Sequence, residues 1–134
     1  MNAAIFNYLS KNRAVLPLLI SVLTLATLAL MLLPLDKYVQ DSIWSYDKVG
    51  HLLIFGSWTY LMGLYQMIYH SGKFSMFTIF IIGVSFGITI EFLQYLLPLN
   101  RSAELFDIAF DSLGSFLAVI LLSKSASSIP KKND

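Results

Sequence analysis

Residues 14–35 read AVLPLLISVLTLATLALMLLPL, an apolar stretch without a charged side chain. A helix needs about 20 such residues to cross a bilayer, so this stretch is long enough for one span. Lys11 and Arg13 precede it, as basic residues do in a signal peptide. However, the apolar run is longer than the roughly 7–15 residues of a signal core, and no small-x-small cleavage site closes it. We therefore predict a first membrane helix that is retained.

Three further apolar stretches follow, at residues 50–69, 74–99 and about 105–122. The chain is 57% hydrophobic and 13% charged, whereas a soluble protein is about half apolar and about a quarter charged. The first stretch also lacks the polar stripe of a soluble amphipathic helix. The predicted fold class is all-α: a four-helix transmembrane bundle at 14–123, between a segment at 1–13 and a polar tail at 124–134.

The distribution of basic residues predicts the orientation of this bundle. Four spans put both termini and the loop at residues 70–73 on one side of the membrane. That side carries Lys11, Arg13, Lys73, Lys124, Lys131 and Lys132, and the opposite side carries Lys37, Lys48 and Arg101. Because basic residues accumulate on the cytoplasmic side, the N- and C-termini are predicted to be cytoplasmic.

Composition also excludes several classes of function. The formal net charge is +1, and no basic stretch with interleaved aromatic residues occurs, so we predict no nucleic-acid partner. The chain contains no cysteine, which excludes disulfides, a catalytic thiol and a thiolate zinc site.

Ionisable and amide side chains fall near one end of the predicted spans. In this topology the outer half of the membrane contains Asp47, Lys48, His51, Glu91, Gln94, Arg101, Asp107 and Asp111. Within each of the three spans, one pair is three or four residues apart and therefore shares a helix face: Asp47 and His51, Glu91 and Gln94, and Asp107 and Asp111. An acid facing lipid at mid-bilayer costs about 2.5–3.5 kcal/mol, so we predict that these side chains face the bundle interior and form a polar pocket.

Small residues continue two of these faces. Gly83 and Gly87 lie on the Glu91 face of the third span, and Gly114 (or Ser115) and Ala118 continue the acidic face of the fourth. Small residues at this spacing let membrane helices approach closely, so we predict that the two faces contact each other.

The predicted pocket contains more acids than bases. Its four acids, at positions 47, 91, 107 and 111, outnumber the two bases Lys48 and Arg101, which leaves an excess of two negative charges. We expect a retained proton, a protonated His51 or a bound cationic ligand to relieve this excess.

These residues resemble a known family in their order and spacing. Asp47-Lys48-x-x-His51, Glu91-x-x-Gln94, and Arg101 followed by Asp107 and Asp111 resemble the VanZ-like family of small bacterial membrane proteins, over residues 45–118. The resemblance implies a multi-pass protein of the bacterial cell membrane. The family is named for a protein linked to teicoplanin resistance, and its members often have Asn at the position of Asp111.

The leading functional prediction is a cell-envelope protein whose outer-leaflet pocket binds an amphiphile. Glu91, Asp107 and Asp111 would receive cationic or hydroxyl groups, while Arg101 and Lys48 would contact phosphate or carboxylate. Membrane lipids are the expected partners, and the resemblance adds a lipoglycopeptide or a cell-wall precursor. The sequence does not identify a cofactor, and oligomerisation is left open.

Three alternatives remain open from the sequence. The pocket could belong to an enzyme acting on a lipid head group, with His51 (oriented by Asp47), Glu91 and Asp107 as the candidate catalytic residues. The ligand types in that enzyme would allow a divalent metal at His51, Glu91 and Asp107, but no metal motif is present and we predict no metal site.

A small proton-coupled transporter is the second alternative, although the first span carries no charge and the acids lie away from the midplane. In the third, the cluster is structural, with Asp107 paired to Arg101 and Asp47 capping the second span.

Overall fold

The computed structural model describes residues 3–32, 47–70, 75–97 and 104–127. Within these ranges the chain is helical and contains no strand, which confirms the all-α prediction. The helices are α1 (Ala3–Lys11), α2 (Val15–Leu32), α3 (Asp47–Tyr69), α4 (Met76–Leu96) and α5 (Leu105–Ser127). The sequence had predicted no helix before residue 14, so α1 is an additional element.

Three of these helices are long and apolar enough to cross a membrane: Val15–Leu32, Met76–Leu96 and Leu105–Ala126. α2 accommodates Pro17 because a proline in the first turn of a helix removes no intrahelical hydrogen bond. α3 has 23 residues, so it extends over about 34 Å at ~1.5 Å per residue. It is less apolar than α2, α4 and α5, because it carries Asp47, Lys48 and His51 and also several Gly, Tyr and other polar residues along its length.

α3 is the central helix of the described structure. It packs most extensively against α5 and also contacts α1, α2 and α4, while α4 packs against α2 and α5. One apolar cluster, which includes Leu9, Leu64 and Leu122, joins α1 to the bundle, and the hydroxyl of Tyr69 donates a hydrogen bond to the Leu9 carbonyl at 2.8 Å. A second cluster of Met31, Phe55 and Ile90 lies in the other half of the bundle.

Glycines allow α3 and α5 to come into backbone contact. A Cβ added to Gly56 would lie 3.1 Å from the carbonyl oxygen of Gly114, and one added to Gly114 would collide with the carbonyl oxygen of Leu52. Gly114 therefore faces α3, and Ser115 is the residue that faces α4, where it adjoins Gly83.

The outward-facing surfaces of the helices are apolar. Large hydrophobic side chains are exposed on α2, α3, α4 and α5, among them Phe77, Leu105 and Phe116. A soluble monomer rarely exposes apolar surface so extensively, whereas lipid would cover it. Together with the three long apolar helices, this surface is that of a membrane protein.

The contact between α3 and α5 gives a first prediction. Gly114→Ala places a methyl group against the backbone of α3, so we expect it to lower the free energy of unfolding by about 1–3 kcal/mol. Gly50→Ala is the matched control, because no atom lies within 4 Å of its added Cβ, and it should be neutral or stabilising by up to about 1 kcal/mol. Unfolding of the detergent-solubilised protein, followed by tryptophan fluorescence, measures both. Equal stabilities for the two variants would contradict the close contact.

Candidate functional site

His51 and Asp111 form a buried pair between α3 and α5. His51 Nδ1 lies 2.9 Å from Asp111 Oδ1, and the two residues are 1% and 0% exposed. The imidazole ring stacks on Phe55, with ring centroids 5.9 Å apart, so its orientation is set from both sides. The pairing follows from the helix contact, because Asp111 is three residues from Gly114 and therefore lies on the face of α5 that approaches α3.

Asp107 connects this pair to the surface. Its Oδ2 lies 3.9 Å from His51 Nε2, and its Oδ1 lies 3.7 Å from Lys48 Nζ. Lys48 in turn donates a hydrogen bond to Glu104 Oε2 at 3.2 Å. The side chains of Lys48 and Glu104 are 38% and 47% exposed, so this ion pair forms the accessible rim of the cluster.

Glu91 enters the cluster from α4. Gly87, one turn earlier, has no side chain, and an added Cβ there would lie 2.7 Å from Asp111 Oδ2. α4 can therefore lie close to Asp111, and Glu91 is buried on the same face. Its Oε2 accepts a hydrogen bond from the backbone N–H of Glu104 at 2.9 Å, which fixes the orientation of the carboxylate.

The other sequence-predicted site residues lie in different positions. Gln94 is buried and donates a hydrogen bond through Nε2 to the Met31 carbonyl at 2.9 Å, so it supplies a donor to a carbonyl group in the last turn of α2. Asp47 is half-buried in the first turn of α3 and offers an oxygen within 4.8 Å of ligand atoms of His51 and Asp107. Arg101, which the structural alternative paired with Asp107, lies outside the described residues.

The carboxylate that contacts His51 through Nδ1 is Asp111, whereas the enzyme alternative had Asp47 orienting the imidazole. Sequence reasoning also missed Glu104, which supplies both the rim ion pair and the hydrogen bond to Glu91. Its spacing carried a usable signal: Glu104, Asp107 and Asp111 are three and four residues apart and share one helix face.

Several buried oxygens of the cluster, and one of Gln94, accept no hydrogen bond from the described residues. They are Glu91 Oε1, Gln94 Oε1, Asp107 Oδ1 and Asp111 Oδ2. A buried polar group without a partner costs free energy, and a buried charge without one costs more. The cluster is therefore an arrangement of acceptors that is suited to a proton, a donor group or a cation.

Apolar spanning helices that enclose a buried His–carboxylate cluster define a multi-pass membrane protein with an ionisable interior. A family model supports this description and makes it specific: VanZ/LLP1 matches residues 4–126. The chain belongs to the VanZ/LLP1 family, which confirms the resemblance seen in the sequence. No curated protein and no solved structure matches the chain significantly.

The His51–Asp111 contact can be tested with two variants at one position. Asp111→Asn keeps an acceptor for His51 Nδ1, whereas Asp111→Ala removes it and leaves a buried ring nitrogen without a partner. We expect the Ala variant to be less stable than the Asn variant by about 1–3 kcal/mol. Thermal unfolding in detergent compares the two, and equal stabilities would show that the contact contributes nothing to folding.

Proposed function

We propose that this protein belongs to the bacterial cell envelope and binds an amphiphile at the rim of the His51–carboxylate cluster, on the outer face of the membrane. The amphiphile is a lipoglycopeptide of the teicoplanin type, or the envelope lipid or cell-wall precursor that such an antibiotic engages. The observation that carries the proposal is the exposed Lys48–Glu104 ion pair above buried acids. A polar head group can exchange with such an exposed pair at little cost, because exposed ion pairs contribute only about 0–1 kcal/mol.

An apolar groove whose lining begins at Leu52, one helical turn after Lys48, supports the choice of an amphiphile. α3 and α5 form its walls, it has a volume of about 740 Å³, and its lining includes Leu52, Gly56, Tyr60, Gly114, Leu117 and Leu121. Lys48 lies four residues before Leu52 and eight before Gly56, so it shares their face of α3. A head group bound at Lys48 would place an attached acyl chain at the entrance of this groove.

The charges of the rim indicate how a head group would be recognised. Lys48 supplies a cation for phosphate or carboxylate, while Glu104 and Asp107 supply acceptors for hydroxyl or ammonium groups. Both kinds of group occur in glycopeptides and in phospholipid head groups. Glu91 and Asp111 lie deeper, so in this proposal they set the charge of the pocket floor.

We further propose that α3 also crosses the membrane, which makes four spans in all, and that both termini are cytoplasmic. α3 is long enough to cross a bilayer, and its polar side chains at residues 47–51 would lie at the outer interface instead of the bilayer centre. The positive-inside distribution of Lys and Arg supports the orientation.

An enzyme that acts on a lipid head group is the second candidate function. The observation in its favour is His51, whose Nδ1 lies 2.9 Å from Asp111 while Nε2 faces Asp107. A ring held by a carboxylate on one nitrogen is the arrangement of a general base. Mass spectrometry of envelope lipids with and without expression of the protein would detect such a reaction.

Teicoplanin susceptibility tests the amphiphile proposal. A Gram-positive host expresses the wild type, Glu91→Gln or Asp107→Asn at matched membrane levels, with His70→Gln as the control. The wild type and the control should raise the inhibitory concentration, and the two cluster variants should lose most of that protection because they change the charge of the pocket. His70 is exposed just beyond the end of α3 that lies opposite the cluster.

The outcomes of this assay separate three cases. Loss of protection in either cluster variant supports a functional pocket. Protection by every variant would make the acids structural, and protection by none would limit the family relationship to the fold.

Cysteine labelling tests the proposed topology, because the natural chain has no cysteine of its own. A membrane-impermeant maleimide should label Glu104→Cys on intact cells. It should label Lys11→Cys and His70→Cys only after the cells are permeabilised. The reverse pattern would invert the orientation, and labelling of His70→Cys but of neither Lys11→Cys nor Glu104→Cys on intact cells would remove α3 from the set of spans.

A further inference from the structure

Three helices each contribute one buried ligand group to a single point in the protein. His51 comes from α3, Glu91 from α4 and Asp111 from α5, and one ligand atom of each lies within 4.8 Å of the other two. All three residues are at most 3% exposed. The sequence predicted no metal site, because ligands from three separate helices form no motif along the chain.

Each carboxylate in this group has one oxygen engaged and one oxygen bare. Glu91 Oε2 accepts from the Glu104 backbone, while Oε1 accepts nothing from the described residues. Asp111 Oδ1 contacts His51 Nδ1, while Oδ2 accepts nothing from them. Both residues are therefore held in place with one oxygen that lacks a partner among the described residues, and a buried oxygen of this kind calls for an explanation such as a bound ion.

We propose that His51, Glu91 and Asp111 bind one divalent first-row transition-metal cation between α3, α4 and α5. His51 Nδ1 and Asp111 Oδ1 are 2.9 Å apart, the separation of two neighbouring ligands that each lie about 2.1 Å from an ion. Tetrahedral ligands of one such ion are about 3.4 Å apart, so a pair at the 4.8 Å limit would have to approach by a total of about 1.4 Å. In the metal-bound form, Nδ1 gives its lone pair to the ion in place of a proton to Asp111.

Asp107 completes the arrangement as a positioning residue. When Nδ1 binds the ion, the proton of the imidazole lies on Nε2, which faces Asp107 Oδ2 at 3.9 Å. A metal-bound histidine usually donates its second ring N–H to a carboxylate, and this contact fixes the ring and strengthens it as a ligand. Lys48, 3.7 Å from the other oxygen of Asp107, balances the charge of that carboxylate.

The ligand set indicates the class of metal. One imidazole and two carboxylates, without sulfur, suit Zn²⁺ or Mn²⁺ better than a soft cation, and the imidazole disfavours Ca²⁺ and Mg²⁺. Three protein ligands leave at least one coordination position for water or another ligand. The ion also supplies two positive charges to a cluster in which acids outnumber bases. The proposal goes beyond amphiphile binding and does not depend on it.

Metal analysis of the purified protein tests the proposal. The full chain, purified in detergent without a polyhistidine tag, is loaded with Zn²⁺ or Mn²⁺, passed through a desalting column and measured by mass spectrometry for metal per chain. We expect about one ion per chain for the wild type. Glu91→Gln, Asp111→Asn and His51→Gln should fall to a small fraction of that value. Asp107→Asn should bind about 10–100-fold more weakly and recover full occupancy at high metal concentration.

The two histidines of the chain provide a matched control. His70→Gln should retain the ion, because His70 is exposed and outside the cluster. X-ray absorption at the zinc edge of the wild-type protein adds a measurement that does not depend on a variant folding. It should detect one imidazole nitrogen among oxygen ligands, and His70→Gln should leave that signal intact.

Several results would overturn the proposal. They are a wild-type protein that retains neither metal, an absorption spectrum without imidazole, and equal affinity for Mg²⁺ or Ca²⁺. Loss of the ion in Asp47→Asn but not in Glu91→Gln would also overturn it, because Asp47, His51 and Asp107 form the other group within 4.8 Å. Failure of the teicoplanin assay leaves all these measurements unaffected, so the two proposals can fail separately.

Discussion

The backbone contact between α3 and α5 determines where the ionisable side chains of the cluster can lie. Gly56 and Gly114 let the two helices touch, and one turn away this contact brings His51 against Asp111. α4 then closes the cluster, because Gly87 leaves room for Asp111 and so brings Glu91 to the same depth. A bulky residue at any of these glycines would push the helices apart and disturb the contacts that keep the acids buried.

Much of this arrangement follows from elementary sequence reasoning. The apolar stretches predicted the all-α fold and three helices that are long and apolar enough to cross a membrane, since lipid imposes length and hydrophobicity on any helix that crosses it. Helical spacing put Asp107 and Asp111 on one face, and the cost of burying charge directed that face inward. The small-residue stripe containing Gly83 and Gly87 predicted the approach of α4 to α5, where Gly87 now adjoins Asp111.

The remaining features depend on rotation and depth, which spacing within one helix does not specify. The sequence did not show whether Asp47 or Asp111 contacts His51 Nδ1. Helical spacing allows Asp47 to reach the ring, but it does not exclude an acid from another helix. The orientation of α5 about its own axis determines which acid contacts the ring. Gly114 faces α3, and the same orientation turns Asp111 toward His51. Gln94 appeared to belong to the cluster because it is three residues from Glu91, yet it contacts the end of α2 instead. Glu104 was overlooked because its backbone N–H, and not only its side chain, contributes.

The solvent exposure of the side chains falls from the rim of the cluster to the buried residues beneath it, and this difference limits what each level can do. Lys48 and Glu104 remain in contact with water and can exchange partners cheaply, so recognition of a head group belongs there. Glu91, Asp111 and His51 have no such freedom, since unpaired charge in a buried site is costly. A permanent positive partner is the simplest way to keep these three side chains together. Asp107 touches both levels, because one of its oxygens faces Lys48 and the other faces His51. Any change in charge at the rim would therefore reach the floor through Asp107, and its substitution should affect both levels.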